Sequence, residues 1–423
     1  MTRRPQRRSL VLQCVEDRFT GSLTTGAVMP HRAIPQRPAE RRRLVRLHEE
    51  HHGVPPSHLA AAPGRIVLLG SGQYTDDGIA LACSIGRHTW VAASPREDRR
   101  LVVYSEWARQ TLRFAPRPAV PTGHGFWGDY VLGMWSALAA GRVKDRGVSL
   151  TVTGDLPPGI GLGSSAALEI AVGLALRSLW DLSLEDKDLA LVAHRVENQF
   201  VGVRVGLVDQ MVTLFARTGR ILVLDSNTLE VDHIEIPDDV TFVVCDSGVH
   251  RGLAMAPLNS RMRELEEGLR FFKNRYPGLT GFRQVSAEML VIAAQELPPP
   301  VLARSRHVVT ENDRARRSVI ALRWGDVEQF GGLATASYRS ARASFESSSP
   351  ELDEIIQLGK GVAGVLGAHV SGPGFGGCTV HIVQKGHAPA LAKRLRRGYR
   401  TPAMRTPVVY TFEPTGCAAS AFS

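Results

Sequence analysis

Long apolar runs are missing from this 423-residue chain. The longest is nearer ten residues than the roughly 20 a membrane-spanning helix requires, so no membrane partner is expected. Cysteine is scarce. The five present (Cys14, Cys83, Cys245, Cys378, Cys417) are odd in number, widely spaced and without a CxxC pair. That excludes a disulfide framework and a zinc knuckle and suits free thiols in a reducing compartment. The N-terminus lacks the apolar core of a secretory signal, so the cytoplasm is the expected location. Lysine is rare beside arginine, and the formal net charge of +10 invites a nucleic-acid reading. About +6 of it comes from residues 1–50, and no RNA- or DNA-reading motif accompanies it. Nucleic acid is not an expected partner.

What is present is an ordinary globular composition, 43% hydrophobic and 22% charged, in a chain too long for one core. Residues 1–36 mix Arg, Pro, Thr and Gly without periodicity and read as a disordered basic extension, and Met29 is as good a start as Met1. Residues 38–52 are helix-compatible until Gly53, Pro55 and Pro56 break the pattern. Buried-strand patterns stand at 65–69 and 148–153, an apolar helix at 165–182 and a second helix at 189–200. Strands at 221–224 and 241–245 lead into amphipathic helices at 260–272, 286–295 and 315–322. A strand–glycine loop–strand–helix unit over 369–394 follows. The mixed order predicts an α+β fold of two lobes, 37–220 and 221–423, without strict βαβ alternation.

The strongest chemical signal is residues 157–167, PPGIGLGSSAA, between a strand and the apolar helix. Gly159, Gly161 and Gly163 permit tight turns that gather N–H groups into a nest. The helix start adds unpaired donors and the positive end of a dipole. A polyphosphate suits such a loop, with Ser164 and Ser165 placed to cap the helix or offer hydroxyls to phosphate or Mg²⁺. The string has no GKS or GKT, which excludes a Walker loop.

The string resembles the phosphate-binding motif of the GHMP kinases. Ala62-Pro63-Gly64-Arg65-Ile66 is similar to the first motif of that family, and residues 370–378, VSGPGFGGC, to the third. Further stretches resemble the galactokinase branch: residues 197–202 (ENQFVG) and 206–210 (GLVDQ), Trp127-Gly128-Asp129-Tyr130-Val131, 307–314 (HVVTENDR) and Glu351-Leu352-Asp353. The resemblance covers about residues 38–395. It implies a two-lobed GHMP kinase fold with the active site in the cleft between N- and C-terminal domains, and phosphorylation of a small alcohol by ATP with Mg²⁺. By the same resemblance Asp209 is the catalytic base, and Arg65 stands beside it to offset charge on the transferred phosphoryl group. Pro158, Gly159, Gly161, Leu162, Gly163, Ser164, Ser165 and Ala166 hold ATP, while Ser164, Ser165 and Glu197 serve Mg²⁺.

The sugar-binding run departs from the galactokinase pattern G-E-H-T-D-Y. Here Gly70-Ser71-Gly72-Gln73-Tyr74-Thr75 stands in its place, and a family tyrosine aligns with Leu258. Losing hydrogen-bonding partners for buried hydroxyls costs roughly 1–3 kcal/mol each, so the expected acceptor is not galactose. Ser71 and Gly72 predict a roomier pocket. Arg204, His250 and Arg251 are candidate anion contacts, and Tyr74, Asp77 and Gly206 complete the expected substrate set. The expectation is a sugar 1-kinase, monomeric or homodimeric, acting on a sugar or sugar phosphate such as a heptose or octose phosphate. The alternatives are a kinase of another neutral sugar and an inactive ATP- and sugar-binding regulator. The string His48-Glu49-Glu50-His51-His52 formally fits a zinc hydrolase, but the helix breaks at once, and it reads as a solvated helix end.

Overall fold

The structure, a computed structural model, describes residues 35, 37–115, 119–123, 126–139, 147–250 and 255–422. Apart from Pro35, the extension expected over 1–36 lies outside the described residues, as does Arg251. The described residues open with α1 (Pro38–His52), followed by β1 (His58–Leu69) and an 18-residue β2 (Ile79–Arg96). The predicted strand at 65–69 is the second half of β1. Strand β2 went unpredicted because both its faces are covered, so Ser84, His88, Thr89 and Ser94 are buried among its apolar residues and the period-2 alternation is lost.

Strands β3 (Leu101–Ser105), β4 (Gln110–Phe114) and β5 (Gly147–Gly154) extend this sheet. Its order is β12-β1-β2-β5-β3-β4, with β6 (Arg220–Asp225) and β7 (Glu230–Glu235) branching from the first half of β2. Strand β12 (Ala419–Phe422) comes from the C-terminal end of the chain and pairs with His58 to Ala61. The boundary expected at 220/221 therefore falls inside β6. The larger sheet takes strands from both sides of that boundary.

Helices α2 (Trp127–Ala139), α3 (Ser164–Leu179), α4 (Asp186–Arg195) and α5 (Val208–Phe215) accompany this sheet. Eleven of the sixteen residues of α3 are buried, as its near-continuous apolar sequence requires. The helix predicted over 189–200 ends at Arg195 and widens into a π-turn, Val196–Val201. Helix α1 packs elsewhere, with Leu44 against Leu59, Ala61, Trp90 and Ala92. The solvated end expected for His48 is not observed. His48 is fully buried, its ring nitrogens 2.8 Å from Ser94 Oγ and 3.1 Å from Thr151 Oγ1. His52 Nε2 lies 2.9 Å from Leu150 O, and His51 stacks on Tyr104. The motif pins a helix to a sheet, and no group of three or more metal-ligating side chains occurs among the described residues.

The second sheet is antiparallel, in the order β11-β8-β10-β9, formed by β8 (Val240–Asp246), β9 (Val365–Val370), β10 (Cys378–Gln384) and β11 (Val409–Phe412). Helices α6 (Met255–Arg275), α7 (Ala287–Ala293) and α8 (Pro299–Arg323) enclose their own core around Phe272, Phe282 and Phe345. Helix α9 (Val327–Ser340) lies against β9, while α10 (Pro350–Gly359) and α11 (Ala388–Gly398) pack on β8 and β10 through Ile355, Leu391 and Leu395. No helix among the described residues is long and apolar enough to cross a membrane.

Candidate active site

The glycine-rich turn joins β5 to α3. Gly159, Gly161 and Gly163 adopt φ of +75°, +86° and +76°, the left-handed region that side chains resist. A Cβ on Gly163 would stand 3.0 Å from Cγ of Arg65, so the arginine stem lies directly against the loop. Serine capping is not the arrangement adopted: Gly163 is the N-cap and no side chain caps α3. Ser164 Oγ instead accepts from Gly159 N at 3.2 Å, and Ser165 lines the same cavity as Glu197. The first-turn N–H groups of α3 keep their capacity for another acceptor.

All three glycine-containing motifs meet at this loop. From β1, Arg65 N donates to Leu162 O at 2.8 Å, and its Nη1 donates to Gly161 O at 2.6 Å. From the end of β9, Ser371 Oγ donates to the same Gly161 oxygen at 3.0 Å and accepts from Val67 N at 3.3 Å. Gly374 has φ +87° and no space for a side chain, since a Cβ would come 2.1 Å from Ser347 O. The fold thus clamps the loop from both lobes.

Asp209 sits in the first turn of α5. Arg65 Nε donates to its Oδ1 at 2.6 Å and Arg65 Nη2 bonds Oδ2, a fork-on-carboxylate pair. Arg65 is buried and the Asp209 side chain is 17% exposed, which leaves the carboxylate reachable from the cleft. Glu197 lies in the π-turn, 4% exposed, and accepts from Gln210 Nε2 at 2.8 Å. Burial first, and the Asp209 charge second, push its carboxyl up to about 7.

A cavity of about 490 Å³ joins these groups. Pro158, Gly159, Gly161, Gly163, Ser164, Ser165, Arg65, Glu197 and Asp209 line it. Leu162 and Ala166, expected among the ATP contacts, do not; both are fully buried in the core. The wall also contains Trp107, Trp127, Tyr130, Val203, Val205 and Leu258. The sequence gives no hint of Trp107 as a site residue, because β3, which leads into it, carries no motif.

Ser71, Tyr74, Asp77, Arg204 and Gly206, expected to meet the substrate, do not line this cavity. Ser71 is fully buried and donates to Asn312 Oδ1 at 2.6 Å. Tyr74 packs on Phe345, with ring centroids 4.3 Å apart, inside the helical core. Asp77 accepts from the backbone N of Arg283 at 2.8 Å. Arg204 is exposed and forms an ion pair with Glu266 at 2.5 Å. The expected extra room is also absent: a Cβ on Gly72 would lie 2.8 Å from Ser226 Oγ, and one on Gly206 would lie 2.2 Å from Gly72 O. Gly206 therefore serves close packing, its N donating to Gln73 O at 3.1 Å. Among the described residues of that set His250 alone approaches the cleft, exposed and 3.6 Å from where a Gly159 Cβ would stand.

The model of the GHMP kinase N-terminal domain matches residues 129–217 and that of the C-terminal domain residues 318–401. The chain belongs to the GHMP kinase family. The galactokinase galactose-binding signature matches residues 46–95. A galactokinase of Roseiflexus sp. (strain RS-1) is 35% identical over 86% of this chain and 92% of its own length. One of Chloroflexus aurantiacus is 36% identical over 86% and 94%. The galactokinase of Lactococcus lactis, solved in complex with galactose, superposes with a TM-score of 0.84 at 28% identity, over 90% of this chain and all of that one. Within its family the chain is a sugar kinase of the galactokinase type. A mevalonate kinase at 16% identity and TM-score 0.55 shares the fold.

Proposed function

We propose that the chain transfers the terminal phosphoryl group of ATP, with Mg²⁺, to the anomeric hydroxyl of a neutral sugar. The observation that carries this reading is the Arg65–Asp209 pair beside the left-handed glycine loop in one cleft. Asp209 takes the proton of the acceptor hydroxyl as the oxygen attacks phosphorus. Arg65, fixed by Gly161 O as well as by Asp209, faces the charge that develops on the transferred group. The loop and the uncapped start of α3 hold phosphate oxygens. Glu197 and Ser165, both in the lining of this cleft, offer the few oxygens Mg²⁺ takes from protein when phosphates and water complete its shell. Bound there, the ion neutralises phosphate charge.

Two observations favour a neutral over a phosphorylated acceptor. Arg204, the cation expected to grip a second phosphate, is spent on Glu266 at the surface, and the relatives at 35–36% identity are galactokinases. The heptose and octose phosphates therefore give way to neutral hexoses. ADP release against galactose, other neutral hexoses and sugar phosphates tests this reading, with phosphorus NMR to place the new ester. Turnover is expected with a neutral hexose, giving a 1-phosphate. Turnover confined to sugar phosphates would overturn it.

A further inference from the structure

Behind the cleft, two buried polar side chains that the phosphoryl-transfer scheme leaves without a task, Glu169 and Gln210, form a row with Glu197. Glu169 of α3 and Gln210 of α5 are fully buried, and Glu197 of the π-turn is 4% exposed. The Gln210 amide bridges the carboxylates, donating from Nε2 to Glu197 Oε2 at 2.8 Å and to Glu169 Oε2 at 3.4 Å. Glu169 Oε1 and Gln210 Oε1 are buried without a hydrogen-bond partner. A carboxyl inside an apolar helix is a costly choice, since Leu168, Ile170 and Val172 around it are all core residues.

We propose that Glu169 and Gln210 are positioning residues, a buried strut that holds the Glu197 carboxylate toward Ser165 and the phosphate loop; this rests on the metal role proposed above for Glu197. Gln210 follows the base Asp209 directly, so one turn of α5 sets both the base and the group that orients Glu197. Fixing a carboxylate from behind by a second hydrogen-bonded residue preserves its direction when a cation draws on its free oxygen. Glu169 acts in the neutral, protonated form, which puts no second negative charge beside Glu197. Burial drives its carboxyl well above the usual carboxylate range, and the neighbouring Glu197 adds to this.

The test is binding of Mn²⁺ in the presence of ADP, read by electron paramagnetic resonance, together with the thermal midpoint of the metal-free protein. Glu169→Gln keeps a neutral hydrogen-bonding group and is expected to bind Mn²⁺ within about twofold of wild type. Glu169→Leu and Gln210→Leu remove the strut and are expected to weaken binding about tenfold. Glu169→Leu should do so with its midpoint unchanged or raised, because it replaces a buried polar group with core-like carbon. A residue serving stability alone would show the opposite pair of effects. Wild-type Mn²⁺ affinity in both leucine variants overturns the strut. Failure of the unaltered protein to bind Mn²⁺ with ADP overturns the metal reading itself.

Discussion

Replacing Glu197 by Gln tests the electrostatics of the cleft through folding stability, without any substrate. The carboxyl is held up at about 7 by burial and by Asp209, against about 4.3–4.5 in an unfolded chain. The unfolded state therefore releases its proton at lower pH than the folded state does. Between about pH 4.5 and 7 the folded protein binds the extra proton, so this group's contribution to stability falls as pH rises. At 1.36 kcal/mol per unit, the raised carboxyl of Glu197 costs the metal-free fold about 3 kcal/mol at pH 8, where it is ionised, and about 1 kcal/mol at pH 5, where it stays protonated in the fold. Glu197→Gln keeps an acceptor for Gln210 Nε2, carries no charge, and should stabilise by about 3 kcal/mol at pH 8 and about 1 kcal/mol at pH 5. Denaturant unfolding of both proteins with chelator present, at pH 5 and pH 8, measures it. The reasoning fails if the gain is the same at both pH values, or if the variant is less stable at pH 8.

Gly163→Ala forces a side chain into a left-handed position 3.0 Å from the Arg65 stem. It should cost about 1–3 kcal/mol of stability and weaken ATP binding, both accessible by calorimetry. Burial holds His48 neutral, its ring pushed down to about 3. Its contribution is fully present above about pH 6.5 and lost as pH falls toward 3. His48→Gln should therefore remove about 2 kcal/mol of the acid sensitivity seen at pH 5, as measured by unfolding at pH 7.5 and 5. Ser371→Ala takes one of the two donors from Gly161 O and should raise the KM for ATP more than it lowers kcat.

The loop, its helix and the Arg65, Glu197 and Asp209 triplet were legible because they depend on local turns and on motifs a few residues long. The strut was not: Glu169 sits four residues after Ser165 in a helix that otherwise reads as plain core, and its partner is 41 residues away. That most of the expected substrate residues stand outside the cleft lining was hidden for the same physical reason. Ser71, Tyr74, Asp77 and Arg204 are polar or aromatic residues near a motif, and nothing local shows that they are already satisfied. Their partners Asn312, Phe345, Arg283 and Glu266 come from the distant helical part of the chain. The second lobe's helices were visible as amphipathic segments, whereas β2 and β12 were hidden by burial on both faces and by pairing across nearly the whole chain.

Phosphoryl transfer through Asp209 is most directly tested by Asp209→Asn, comparing ATP binding by calorimetry with sugar-dependent ADP release by the same preparation. The asparagine keeps an oxygen for Arg65 and removes the base. ATP affinity should stay within a few-fold of wild type while turnover drops by about 10²–10⁴-fold. Turnover near the wild-type rate with ATP binding intact would contradict the account.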